Sequence, residues 1–455
     1  MNPPGERERA PGPNLMLVLT ATMAVGPLLT HSLSAMSPLV IQDLRLTEAQ
    51  FGLLATVTFF VAAVTAVRTG RWADRLGART LLAVMFGGAV LAMLLAAVAP
   101  DYTVLLLAMV LSGLGQVMAN PATNRLIRLH VPAHRRASWL GVKQAGVQAA
   151  QLVAGLTFPA LGLLLGWRTA VAVAAGGVLL LLVHGWLTVP ENHAGGWAAA
   201  RSGRGREPGA EAGPRTAPAP GPQRASGAAA ASRPGSSSPH RPGRGGGRPP
   251  MPGVVRAYAA AAALTGLGAQ AANVYLPLYA HRELGLDVVV AGATVSVAAL
   301  VGIASRVLWA RVMDRPGADG FVLLAGMALG AAVSAGLLVL APAHPALAGA
   351  VWPAAVLHGG AALAVSVIVM SGAMRAVPAE RVGASTGVVT MGLYAGFCSG
   401  PLVMGVLLQL TGSFAAGWVL VLVCYLACGL LAVLVRRSRS RAGTTDRTPS
   451  AGPRR

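Results

Sequence analysis

Long apolar runs of about twenty residues, separated by short polar connections, fill this chain from Asn14 to about Val435. Coiled into a helix, each run matches the thickness of a bilayer's hydrocarbon core. Only helices and closed barrels satisfy their own backbone polar groups there. Twelve runs can be counted, near 14–38, 50–69, 79–99, 103–125, 137–163 and 168–189, then 254–280, 288–310, 319–341, 346–374, 383–410 and 414–435. The expected fold is an all-α integral membrane protein with twelve transmembrane helices. With 54% of residues hydrophobic and 11% charged, the chain is far from the roughly 25% charge of soluble domains. The first run exceeds the ~7–15 residue core of a cleaved signal and is read as a retained span.

A formal net charge of +21 spread over a folded face would suggest a nucleic-acid partner. The arginines instead sit in tails, loops and one linker without interleaved aromatics, which argues against nucleic acid. Their placement orients the chain. Connections carrying Arg68, Arg71, Arg75 and Arg79, then Arg125, Arg128, Arg135 and Arg136, then Arg311 and Arg315, then Arg375 and Arg381, alternate with connections poor in basic residues. The positive-inside rule makes the basic set cytoplasmic, with both termini on that side of a cell membrane.

Three stretches hold too little apolar surface to fold. Residues 1–13, the Gly/Pro/Arg-rich segment 191–252 and the basic tail 437–455 are expected to be disordered and cytoplasmic, flanking helical blocks at 14–190 and 253–436. Cys398, Cys424 and Cys428 lie inside apolar runs and read as small core residues. No Ser/His/Asp set, metal-ligand cluster or phosphate-cradling loop stands out, so neither an enzyme nor a cofactor is expected.

The two blocks are copies. At an offset of 240, Leu44, Leu46, Gly52, Asp74, Arg75 and Gly77 fall on Leu284, Leu286, Gly292, Asp314, Arg315 and Gly317. At an offset of 246, Leu111, Gly113, Val131, Pro132, Ala133, Arg135, Gly141 and Val142 fall on Leu357, Gly359, Val377, Pro378, Ala379, Arg381, Gly387 and Val388. A six-span unit has been duplicated, with a small length change between its third and fourth spans.

The turn Gly70-Arg71-Trp72-Ala73-Asp74-Arg75-Leu76-Gly77-Ala78-Arg79 resembles the loop motif between the second and third helices of the major facilitator superfamily. With twelve spans, a central linker and the repeat, the resemblance covers nearly the whole chain outside tails and linker. It implies two pseudo-symmetric six-helix bundles that open a central cavity to one side at a time. It also implies that Gly70, Asp74, Arg75, Gly77 and Arg79, with Asp314, Arg315 and Gly317 of the second copy, form a cytoplasmic gate. There Asp74 would meet the start of the eleventh span near Gly383, and Asp314 the start of the fifth near Ser138, where exposed N–H groups favour negative charge. Arg135 and Arg381 would join as ion-pair partners.

Cavity candidates follow from polar residues on the spans that face the centre in that family. The fifth carries Gln144, Gln148 and Gln151 as one helical stripe with Lys143 beside it, and the fourth carries Gln116, Asn120 and Asn124. The seventh adds Gln270, Asn273 and Tyr275, the first His31, the tenth His358, and the eleventh Thr390 and Tyr394. Each could instead bond neighbouring helices. Lys143 either attracts an anionic solute or snorkels to the interface, and Arg306 is read as structural. No carboxylate lies at mid-membrane, so a coupling proton would need His31 or His358. The expected function is secondary active transport of a small polar or anionic solute by rocker-switch alternating access, in a monomer embedded in lipid. Proton-driven efflux of drugs or hydrophobic compounds is the alternative, although Met109 and the Phe158-Pro159 pair depart from that branch. A non-transporting receptor is the third reading.

Overall fold

The computed structural model describes residues 13–76, 78–132, 135–189 and 251–445. Twelve helical spans are present among them. The first is Pro13–Ala35, continued by the short helix Ser37–Leu44. Then come Glu48–Arg75, Ala78–Ala97, Tyr102–His130, Arg136–Leu165 and Trp167–Thr188. The second half comprises Gly253–Arg282, Val288–Met313, Gly320–Leu340, a tenth span in two pieces (Val351–Leu357 and Val365–Arg375), Val382–Thr411 and Phe414–Thr445. Eleven are long and apolar enough to cross a membrane. The seventh, Gly253–Arg282, is 30 residues long, but Arg256, Tyr258, Gln270 and Asn273 dilute its hydropathy.

Local chemistry sets the ends. Side chains of Asp101, Asp287 and Asp319 accept hydrogen bonds from backbone N–H groups of Val104, Val289 and Phe321, satisfying donors that a helix start leaves open. Gly317, the glycine of the second loop motif, adopts φ +79°, a left-handed conformation that side chains disfavour. The tenth span departs from the single helix expected over 346–374. It begins at Val351 and widens into a π turn at His358–Ala362, where Gly359 lets its backbone press against the Ala298 carbonyl of the eighth span. The last helix also departs from expectation: it continues to Thr445, so the part of the basic tail from 437 to 445 is helical. The linker expected at 191–252 lies outside the described residues except for Met251 and Pro252.

The packing repeats as the sequence does. In the first half the first span packs on the fifth, the second on the fourth, and the third on the sixth. The same pairings recur as seventh on eleventh, eighth on tenth and ninth on twelfth. Across the halves the second span packs on the eleventh and the fifth on the eighth, a pair of contacts related by the pseudo-twofold axis, with the first against the seventh between them. The stripe Gly392, Gly396 and Gly400 brings the eleventh span against the backbone of the seventh at Ala259, Ala263 and Leu267. Outward residues such as Leu164, Leu180, Leu187 and Leu410 are exposed and face the apolar solvent.

Two glycines equivalent in the repeat make the cross-half contacts possible. A side chain on Gly52 would collide with the carbonyl oxygen of Pro401 and lie 2.6 Å from the Tyr275 hydroxyl. One on Gly292 would collide with the ring of Pro159 and lie 2.9 Å from the Gly155 carbonyl. Overpacking such a site costs about 1–3 kcal/mol. Gly52→Val and Gly292→Val are therefore each expected to open this interface, shifting the population away from the described state by roughly 5- to 150-fold. Maleimide labelling of Ser34→Cys in the Gly52→Val background checks it; an unchanged labelling rate would contradict the prediction.

Candidate functional site

Two faces must be distinguished. The basic face carries Arg79, Arg311, Arg315, Arg375, Arg381 and the last helical turns; the far face carries the opposite helix ends. On the far half the bundles are bonded to each other. The Arg282 guanidinium donates to the Glu48 carboxylate at 2.7 Å, and the Tyr275 hydroxyl donates to the Glu48 carbonyl at 2.6 Å. Thr56 donates to the Cys398 carbonyl at 2.8 Å and Ser296 to the Leu152 carbonyl at 3.0 Å.

A further bond between the bundles answers a backbone defect. Pro277 lies inside the seventh span, has no N–H, and leaves the carbonyl four residues earlier, on Asn273, without its helical donor. The Ser34 hydroxyl of the first span sits 2.7 Å from that carbonyl and 2.8 Å from the carbonyl of Val274. Backbone freed inside a membrane needs such a partner from a neighbouring helix.

Next to this joint, four of the expected cavity residues converge. Gln151 Nε2 donates to Asn273 Oδ1 at 3.1 Å, and Asn273 Nδ2 donates to Gln270 Oε1 at 3.3 Å. His358 Nε2 lies 3.2 Å from the same Asn273 Oδ1, which puts the imidazole proton on Nε2. All four side chains are buried. The network joins the fifth span of one bundle to the seventh and tenth of the other, beside the π turn. The oxygens of Gln116, Gln144 and Gln148 and the Gln270 Nε2 are buried without a protein partner.

Lys143 is buried too, at 1% exposure, and its ammonium is saturated. Its three donors reach Thr123 Oγ1 at 2.7 Å, Asn124 Oδ1 at 2.6 Å and Asn120 Oδ1 at 3.3 Å, all on the fourth span. The side chain therefore neither snorkels nor keeps a donor for an anion. Its partner Thr123 escaped the sequence reading because threonine is unremarkable in a membrane helix, where its hydroxyl usually bonds back to its own turn, as this one also does to Ala119.

The remaining candidates fall elsewhere. Tyr275 is not in the cavity: it is fully buried at the far-face joint, edge-on to Phe51 and Phe414. Tyr394 packs with Phe59 and Phe397 where the second and eleventh spans meet. His31 is buried in the first span outside the network. Thr390 bonds back to the Thr386 carbonyl.

Of the described gate residues, Asp314 does not meet the other bundle as expected. Asp314 pairs at 3.0 Å with Arg375 of its own bundle, and the space beside Gly383 is open. With the halves joined on the far side, Arg375 is the cation within reach. Arg79 bonds the Val189 carbonyl and lies over the Trp186 ring, within the first bundle, and Arg381 reaches the Met251 sulfur. Arg135 stands at the start of the fifth span. Gly77 and the side chains of Asp74, Arg75 and Ser138 lie outside the described residues, as does any statement about Gly70 beyond its helical backbone.

The sequence model of the major facilitator superfamily matches residues 16–401. The chain belongs to that superfamily. Solved structures agree on the fold. A bacterial homologue of the human lysosomal transporter Spinster matches in its inward-facing, occupied state with TM-score 0.65 and 17% identity, covering 93% of this chain and 96% of that one. Its inward-facing, unoccupied state gives 0.69 and 16% over 95% and 98%. The nucleoside transporter NupG gives 0.67 and 12% over 92% and 98%. No curated protein matches the sequence. This superfamily member is accordingly a secondary transporter, not an enzyme.

Outside the spans, the far face holds one further anchor. Asp43 accepts from Trp167 Nε1 at 3.0 Å and from the Arg168 guanidinium. Partial burial pushes its carboxyl up, but those hydrogen bonds and the Arg168 charge outweigh it, leaving it below the ordinary range. Because the folded group titrates lower than the unfolded one, its stabilisation is present above the unfolded value, about pH 4, and lost as pH falls through the folded one. The gap in melting temperature between the wild type and Asp43→Asn should be constant above about pH 5 and close below about pH 4. A gap that widens on acidification would refute the assignment.

Proposed function

We propose that this transporter moves a small polar solute across the cell membrane by rocker-switch alternating access, with both termini cytoplasmic. The observation that carries the reading is the buried amide–imidazole network of Gln151, Gln270, Asn273 and His358 bridging the two bundles at mid-depth. Buried hydrogen-bonding groups at a bundle interface are costly in hydrocarbon unless a partner replaces water, and a polar solute supplies that partner. The free oxygens of Gln116, Gln144 and Gln148 extend the polar lining. A site for purely hydrophobic compounds would not carry this density of amides.

The far-side bonds between the bundles support reading the described state as closed outward and open to the cytoplasm. Asp314, held by Arg375 here, would be released to the start of the fifth span when the bundles rock, which is the gate role the loop motif suggests. For a coupling proton, His358 is the better carrier of the two histidines, because it alone shares a hydrogen bond with the network.

Counterflow in proteoliposomes, screened with a library of polar metabolites, tests the proposal. Accumulation of a polar solute should fall at least tenfold in Asn273→Ala and Gln151→Ala, since each removes a bond on which the other residues depend. A response to an imposed pH gradient should vanish in His358→Gln and persist in His31→Gln. Transport confined to lipophilic cations, unaffected by Asn273→Ala, would overturn the reading in favour of drug efflux.

A further inference from the structure

The eighth span carries a cation that no described side chain neutralises. Arg306 makes no hydrogen bond or ion pair with a described residue, and its Nε is buried without a partner. Of the described carboxylates at that end, Asp314 pairs with Arg375 and Asp319 with Arg436, and Glu380 is exposed in the turn before the eleventh span. A guanidinium stays charged in any protein environment, and an unpaired one within a spanning segment is expensive enough to need a reason.

Register supplies the reason. The fifth and eighth spans run antiparallel along one contact: Pro159 lies beside Gly292, the Leu152 carbonyl bonds Ser296, and Gln148 lies beside Gly302. Each step toward the basic face lowers the number on the fifth span and raises it on the eighth. One further turn sets Arg306 level with Gln144. Gly292, Ser296, Ala299, Ile303 and Arg306 recur every three or four residues, so Arg306 belongs to the face turned to the fifth span. Gln144 and Gln148 opposite keep buried oxygens with no partner. A forked cation and two amides thus share the space between the bundles, one to two turns from the Asn273 network. Lys143, the cation that looked more available in sequence, has all three donors occupied.

We propose that Arg306, with Gln144 and Gln148, is the anion-recognising end of the solute site, and that the transported solute carries a carboxylate or a phosphate. This rests on the transport reading and adds the charge of the substrate to it. The fork of the guanidinium takes two oxygens of such a group side by side, the two amides supply further donors, and their free oxygens accept from hydroxyls on the solute.

Thermal unfolding of the purified full-length protein tests this in two steps. Without ligand, Arg306→Met should raise the melting temperature, because it removes a half-buried charge that has no described partner, a cost a binding site bears for function. A fall would mean that Arg306 is a structural residue and would overturn the proposal. With ligand, matched acids and neutral analogues are compared, succinate against succinamide and glycerol 3-phosphate against glycerol, alongside a metabolite library divided the same way. Stabilising compounds should be acids, the pair that responds distinguishing carboxylate from phosphate. Their apparent affinity should drop at least tenfold in Arg306→Gln, recover in part in Arg306→Lys, and stay unchanged in Arg437→Gln, an exposed arginine at the end of the twelfth span. Stabilisation by neutral compounds alone, by no acid at all, or by acids equally in Arg306→Gln would overturn it. Counterflow of a neutral solute that survives in Arg306→Gln would sink the anion subsite and leave the transport reading standing. Absence of counterflow by the wild type for every solute would sink the transport reading itself.

Discussion

Inside hydrocarbon no water is available to complete a polar group, so each donor and acceptor must find a partner within the protein. That constraint orders the whole structure. It explains why the orphaned carbonyl of Asn273, created by Pro277, is met by a serine from another helix. It explains why Lys143 is wrapped by three oxygens of the fourth span. Among the described residues ten buried side-chain atoms escape it; those of Gln116, Gln144, Gln148, Gln270 and Arg306 lie on spans near the meeting of the two bundles, while those of Thr30, Ser37, His184, Trp418 and Tyr425 lie elsewhere. The first group stands out because four of its five members are amides gathered on the fourth, fifth and seventh spans, beside the Asn273 network.

The duplication does a second kind of work. Because the second span of one copy packs on the fifth of the other, and the reverse, a single residue choice made before duplication serves two contacts. Gly52 and Gly292 are that choice, each admitting a proline-bearing helix of the opposite bundle. The contacts are close because glycine contributes backbone rather than a large apolar side chain. Without a hydrophobic driving force between helices in lipid, such an interface is held by packing and a few hydrogen bonds. It can therefore separate at a modest cost, as alternating access requires.

Much of this was legible in the sequence. Span number and order, the repeat and the family followed from run length, offsets and the loop around Asp74, because these depend on hydropathy and counting. The four residues of the inter-bundle network, Gln151, Gln270, Asn273 and His358, were also visible as polar groups in apolar runs. What one sequence does not carry is the partner of each. Tyr275, two residues past Asn273, lies on the other side of the seventh span, and its side chain reaches the Glu48 carbonyl at the far joint. Lys143 and Arg306 could not be told apart for the same reason: the difference between them is whether oxygens stand nearby, which is a matter of tertiary contact. The π turn at His358 was hidden likewise, since it depends on the close approach of Gly359 to the eighth span.

The relation between the network and the far-side joint suggests how occupancy and conformation are linked. Asn273 belongs to both. Its side chain binds Gln151 and His358, while its carbonyl is held by Ser34 of the other bundle. A solute that competes for the Asn273 amide acts one residue's length from the bond that ties the bundles together. A ligand shifts a conformational equilibrium only by its difference in affinity for the two states. Here the difference has a physical source, because the Gln151–Asn273 bond itself spans the bundles and cannot persist once they separate on that side. In the proposed transport cycle, solute and inter-bundle contact would draw on the same hydrogen-bonding atoms, which is the condition under which binding and rocking become one process.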